Sequence, residues 1–481
     1  MRFLSGVAVS LTVGALVGTS GTGCHRDLPL GPRDTVPPAV HVLSPDPLTG
    51  AYDRDSNGLL DVQLAWADSS GAVNRSTLRI VAVEGGVPGF GPDSNLVPSW
   101  RIVRLDSAGA VLEETLGALL REGETRLAIS VADRAGNRVT DTTSPFRLTP
   151  AAFHQAIPLA GMPSCQHDRG VNLALSPDGR KGFVPYNGCV AVFDPDGVRP
   201  VHFIAPVPNA DFAVDISVDS ATGLAYIGGG IGGQGYTVLD TRSEQVVRTG
   251  AIEQAQVASV KVIGDRLFIG ESCTSGTIQV YSATSLSLLG RIPVGATTST
   301  GSCPNTTSIA IAGDGDGWGA VVDAGVAHFD ARSYAMIGRY RIDSTSGGAY
   351  WGAARSIRLV ADRWLEAALP CEGLEEFDTR PWQLSVKLGD SFHAAPCFKE
   401  LALSPDGSSL FVSADSTGWI GWDSVQTPYL FDVPGLRLRY AFPHRRGGLT
   451  DAAVWHPDGK RVYMMAEFEV KVYVIRPRPT S

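Results

Sequence analysis

A four-residue turn, Ser176-Pro177-Asp178-Gly179, returns as Ser404-Pro405-Asp406-Gly407 and as His456-Pro457-Asp458-Gly459. A turn that recurs far along a chain constrains the fold more than composition does. Proline presets φ at the second position of a β-turn and glycine tolerates the positive φ of a tight hairpin, so each copy predicts a turn between two strands. Turn aspartates of the same kind stand at Asp265, Asp314 and Asp362, and a longer turn within 215–223 replaces the aspartate turn once. The spacing is about 44 to 52 residues, which makes seven units.

Each unit reads alike. An apolar strand precedes the turn, and a second follows it, as in GFVPY, GLAYIGG, RLFIGE, WGAVV or RVYMMA. A third has a phase-locked ending: VAVFD (190–194), YTVLD (236–240), IQVYS (278–282), VAHFD (326–330), LEEFD (374–378), PYLFD (428–432) and VYVIR (472–476). A fourth leads to the next unit, except in the seventh, where the sequence stops at Ser481. The orphan segment AAFHQAIPLAG (151–161), ahead of the first unit, is the strand that would complete the seventh. Seven four-stranded units with one strand donated from the other end predict an all-β fold, a closed seven-bladed β-propeller over 151–481. Closure also removes the exposed sheet edges that invite aggregation. The SPDG turns, HPDGKRVY and the repeated FD ending resemble bacterial propellers of the YVTN, WD40-like and surface-antigen type.

Upstream the pattern differs. Residues 1–24 carry Arg2, an apolar run from Phe3 to about Val17, then small residues ending at Cys24. This reads as a secretion signal, too short to span a bilayer. Its end, Gly21-Thr22-Gly23-Cys24, resembles a bacterial lipobox, which implies diacylation of Cys24; the family prefers leucine where Gly21 stands, and the alternative is that Cys24 is lost with the signal. Residues 25–36 are polar and proline-containing, as a tether would be. From 37 to 148, short runs alternate apolar and polar residues between turn signals. The Pro37-Pro38 start, the strand Ser76 to Ile80 and Ala132-Asp133-Arg134-Ala135-Gly136-Asn137 resemble a bacterial immunoglobulin-like domain, usually a spacer or adhesive unit.

The net charge is −9, which argues against a nucleic-acid partner. Asp53, Asp55, Asn57 and Asp61 around Gly58 resemble the first nine positions of a calcium loop, although Leu64 holds the place of the usual bidentate glutamate. A solvated acidic turn is the alternative, and no cofactor is required. In the blade register Cys189, Cys273 and Cys371 fall between second and third strands, and Cys165, Cys303 and Cys397 between units, all on one face. Nearest-neighbour pairing in an oxidising compartment gives Cys165–Cys189, Cys273–Cys303 and Cys371–Cys397. The same loops carry His167, Asp168, Tyr186, Phe212, Tyr350, Trp351, Phe392, His393, Phe398, Trp419, Trp422, His444 and Arg445, read either as a ligand-binding face or as loop packing.

A second column stands at the start of the innermost strands, two residues before a small residue: Asn172, Asp215, Ser259, Ser308, Ser356, Glu400 and Ala452. These should ring a channel holding water, or a metal on Asp215 and Glu400. The expectation is an exported, lipid-anchored binding protein of the cell envelope, more a binder than an enzyme, whose loop face takes a protein or glycan. The alternative is a periplasmic propeller hydrolase of the lactonase kind with a channel metal.

Overall fold

The computed structural model describes residues 34–478, apart from 57, 70–71, 87–93, 116–119, 160–171, 187, 209–212, 230–234, 253–255, 273–275, 296–305, 322–324, 341–355, 370–372, 389–396, 416–424, 444, 447–449 and 467. The signal-like segment with Cys24 lies outside the described residues. Among those residues the chain is all-β, with a single turn of 3-10 helix at Val97–Ser99, and no helix is long and apolar enough to cross a membrane.

The first body is a sandwich. Ala39–Ser44, Asp61–Ala67, Gly109–Glu114 and Trp100–Leu105 lie side by side, in the order 39–44, 61–67, 109–114, 100–105. Val73–Glu84, Gly123–Asp133 and Arg138–Thr142 form the second sheet, and Phe146–Leu148 adds to Gly123–Asp133. The period-2 alternation turns Leu64, Trp66, Ile80, Leu112 and Ile129 into one shared core.

The rest of the chain forms seven antiparallel sheets among the described residues, each opening with the strand before a predicted turn. Six follow a four-strand plan; the sixth adds the short strands Val425–Gln426 and Arg445–Arg446, which the sequence did not announce. No individual sheet closes on itself. The last takes its fourth strand from the chain's other side: Ala151–Pro158 pairs antiparallel with Glu469–Ile475, from Ala151↔Ile475 to Pro158↔Glu469.

Hydrophobic clusters join each sheet to the next, and the series returns to its start. Val360, Phe398 and Phe431 bridge the fifth and sixth sheets, Phe411 and Tyr473 the sixth and seventh, and Tyr463, Met465, Val184 and Phe193 the seventh and first. The last contact is reinforced by His456 Nε2 to the Gly179 carbonyl at 3.1 Å and by the Tyr463 hydroxyl donating to the Pro195 carbonyl at 3.2 Å. Middle strands packed on both faces have no use for alternation, so Gly182–Tyr186, Cys189–Phe193 and Arg461–Ala466 are buried at every position. Outer strands such as Gln245–Ala251 face water and read as polar.

The recurrent motifs have local causes. In the first sheet Gly179 has φ +71°, its N–H donates to the Ser176 carbonyl at 2.8 Å, and the Ser176 hydroxyl donates to Asp178 Oδ1 at 2.7 Å. Ser404 to Gly407 repeats the arrangement. The aspartate of the FD ending caps the next turn; Asp330 Oδ1 accepts the N–H groups of Arg332 and Ser333 at 2.7 and 3.0 Å. Its aromatic neighbour lies over a cross-strand glycine, and a Cβ on Gly182 would stand 1.9 Å from the Phe193 ring.

The sandwich docks on the seventh sheet through a buried ion pair. Arg476, 3 % exposed, meets Glu114, 1 % exposed, in a bidentate contact at 2.7 and 2.9 Å. Arg476 also donates to the Gly58 carbonyl at 3.2 Å, and Glu114 accepts the Leu60 N–H at 3.1 Å. Arg439 and Glu122 pair beside it at 2.9 Å. Gly58, at φ +83°, sits so close to Ala152 that a Cβ would lie 2.3 Å from that residue's methyl. All these contacts fall on the side of the Pro-Asp-Gly turns, where Arg478 also reaches the Ser408 carbonyl and Asp432.

Candidate functional site: the central cavity

The first strands of the seven sheets are neighbours, and the inner ends of all seven line one cavity of about 660 Å³. Its wall includes Asn172, Asp215, Ser308 and Glu400, four of the seven column positions expected from the sequence; Ser259, Ser356 and Ala452 stand behind it. Several of these residues tie one sheet to the next. Asp215 Oδ2 accepts the Val260 N–H at 2.6 Å, Ser308 Oγ accepts the Ile357 N–H at 3.3 Å, and Ser356 Oγ accepts the Leu401 N–H at 3.3 Å. A short polar side chain at this place thus satisfies a backbone donor on the following sheet.

The expectation of a small residue two places further on holds at Ala174, Ser217, Ala310 and Ala402, gives way to Val454 in the seventh sheet, and is replaced by a cation in two sheets. There the places after Ser259 and Ser356 belong to Lys261 and Arg358, both in the cavity wall. Arg358 donates to Glu400 Oε1 at 2.5 Å, to the Ile357 carbonyl at 2.7 Å and to Ser308 Oγ at 3.4 Å. Two cations therefore face two carboxylates, where the sequence reading counted only the acids. A divalent cation on Asp215 and Glu400 would sit against Lys261 and Arg358, a charge arrangement that opposes it. The signal was present two places beyond the column, where a lysine and an arginine are anomalous in a series otherwise of small or apolar residues.

Burial pushes the Asp215 carboxyl up to about 7, with the Glu400 charge adding to the rise and the Val260 and Ile216 N–H groups opposing it. Burial, then the charge of Arg358, lowers the Lys261 ammonium. A polar row continues outward across the fifth sheet, where Arg358, Glu366 and Glu376 are successive cross-strand partners. Glu366 is fully buried, neither oxygen meets a hydrogen-bond partner in good geometry, and burial beside Glu376 raises its carboxyl well above the ordinary range. Glu376 accepts the N–H of Gly435 from the sixth sheet.

The loop-face residues divide. His167, Asp168, Phe212, Tyr350, Trp351, Phe392, His393, Trp419, Trp422 and His444 lie outside the described residues. Arg445 lies in a short strand whose backbone pairs with Gln426. Tyr186 is a correction: it is 5 % exposed, packs against Phe203 in the cluster between the seventh and first sheets, and presents no surface to a ligand. Phe398 is likewise core, set edge-on to Tyr429. Tyr186 closes the strand Gly182–Tyr186 and Phe398 is the second residue of Cys397–Leu403, and both strand ends still pack between sheets, which loop-based placement by sequence does not foresee.

Cys189 is buried and disulfide-bonded. Cys165, Cys273, Cys303 and Cys371 lie outside the described residues, and Cys397 opens the strand Cys397–Leu403. Asp53, Asp55 and Asp61 do converge, with one oxygen of each within 4.8 Å of the others, while Asn57 lies outside the described residues. Burial, with the charges of Asp55, Glu113 and Asp53, raises Asp61 above its ordinary value. Asp34, Asp68 and Asp133 converge in the same way, a grouping the sequence did not suggest. Compared with known proteins, the chain matches no family model and no curated protein.

Proposed function

We propose that the seven sheets are the blades of a closed β-propeller, that the sandwich is an immunoglobulin-like module, and that the protein is an exported, lipid-anchored presenter of a ligand-binding face. Support for the propeller comes from the unbroken series of inter-sheet cores and from the pairing of Ala151–Pro158 with Glu469–Ile475. The single observation that carries the functional reading is the docking side of the sandwich. Its contacts gather where the Pro-Asp-Gly turns lie, at Arg476, Gly58 and Ala152. The opposite side, with the connections between second and third strands and between sheets, is turned away from the anchor-proximal module. A protein or glycan of the envelope meets that side first, through Trp351, Trp419, Trp422, His167, His393 and Arg445, with Cys165–Cys189, Cys273–Cys303 and Cys371–Cys397 stapling its loops.

The test immobilises the exported chain, residues 25–481, and measures retention of envelope proteins and glycans. Simultaneous Trp351→Ala, Trp419→Ala and Trp422→Ala should abolish retention at unchanged thermal unfolding. Equal retention by the variant would overturn the reading. Acylation of Cys24 is tested separately by the mass of the N-terminal peptide from membranes.

A further inference from the structure

We propose that the central cavity binds a small hydroxylated carboxylate, its carboxylate held by Lys261 with Arg358 beside it and its hydroxyls by Ser217 and Ser308. The inference is independent of the loop-face reading, since it concerns the lumen alone. It rests first on a donor surplus. Asp215 Oδ1 already accepts the Asn172 amide and the Ile216 N–H, and its Oδ2 accepts Val260 N–H. Glu400 Oε1 is shared by Ser356 and Arg358. Both oxygens of Asp215 and Oε1 of Glu400 are thus engaged. Ser217 Oγ accepts the Val262 N–H at 3.2 Å and Ser308 Oγ accepts from Ile357 and Arg358, which leaves each hydroxyl proton to donate. Among the described residues the Lys261 ammonium makes no hydrogen bond or ion pair, although it borders the cavity. An ammonium that makes no hydrogen bond among the described residues, inside a polar cavity of about 660 Å³, calls for an anionic acceptor. The volume is that of a small-molecule site and is ample for a short hydroxy acid with its hydrating waters.

The charge count sets a pH dependence. Arg358 and Glu400 neutralise each other, and Asp215 gains its charge only near pH 7, so Lys261 supplies a net positive charge below that point. The groups facing Asp215 are Asn172, Lys261, Arg358 and Glu400; among the described residues the inner strands Thr306–Ile311 and Thr450–Trp455 bring Thr307, Ser308 and apolar side chains to the wall, none of them titratable. Ionisation of Asp215 cancels the surplus and weakens the anion.

The experiment is calorimetric titration of residues 25–481 with sodium glycerate, and with sodium acetate for the carboxylate alone, against sodium chloride at matched ionic strength. Glycerate should bind at pH 6.0, about tenfold more weakly at pH 8.0, and acetate more weakly than glycerate. Lys261→Met should remove binding at both pH values while Lys261→Arg retains it. Asp215→Asn should bind equally at both. Silence of both probes at 10 mM, or binding unaffected by Lys261→Met in a protein of unchanged unfolding temperature, overturns the proposal.

Discussion

Removal of Glu114 is the sharpest test of how the two bodies are held. Its carboxylate takes both guanidinium nitrogens of Arg476 and the Leu60 N–H, in surroundings where the two side chains are 1 % and 3 % exposed. Glu114→Ala strands a buried guanidinium whose remaining acceptor is the Gly58 carbonyl. Breaking a buried pair from one side costs about 3 to 5 kcal/mol, because the surviving charge keeps its desolvation penalty and loses its partner. Spread over the sandwich, this corresponds to a fall on the order of 10 °C in that body's transition. Replacing both partners with apolar side chains of similar size, Glu114→Leu with Arg476→Met, removes the stranded charge together with the pair and should return to within about 2 kcal/mol of the parent. Differential scanning calorimetry of residues 25–481 is the assay, since it separates the transitions of two bodies that need not unfold together. The reasoning fails if Glu114→Ala costs less than about 1 kcal/mol, or if the double replacement loses as much as the two single changes added.

Two further predictions concern groups inside the sheets. Glu366 binds its proton more tightly folded than unfolded, so its contribution to stability is complete below its unfolded pKa and is lost as pH rises through the raised folded value. Glu366→Gln should therefore raise the unfolding temperature at pH 8 and flatten its decline from pH 5 to 8; an unchanged slope would show that this carboxyl does not titrate as argued. The Tyr186 hydroxyl is buried with no partner among the described residues, so Tyr186→Phe should be neutral or stabilising by about 1 kcal/mol in urea unfolding, and a loss of that size would reveal a hydrogen bond from a neighbouring loop.

The repeat was legible because its parts are local. Ser176 to Gly179 closes its own turn, Asp330 caps its own loop, and Phe193 covers the glycine opposite, so each motif reads without knowledge of distant chain. The column Asn172, Asp215, Ser308 and Glu400 was legible for the same reason, since register within one unit places it. Tyr186 was misread because loop and strand end differ by one residue in sequence but by a whole environment in space. Lys261 and Arg358 were passed over because composition averaged over seven units hides two exceptions, and these decide the sign of the cavity.

By itself the sequence determined the all-β character, the number and phase of the repeated units, the strand that crosses from residue 151 to the last sheet, and the separate upstream body. Those features follow from turn chemistry and hydrophobic patterning, which act over a few residues at a time. Only the tertiary structure decided that Arg476 and Glu114 would find each other 362 residues apart, that two cations from different sheets would meet two carboxylates in one cavity, and that the sandwich would seat on the side of the turns. Burial and charge balance are properties of groups brought together from distant parts of the chain, and the energy of each such group depends on neighbours that no local pattern names.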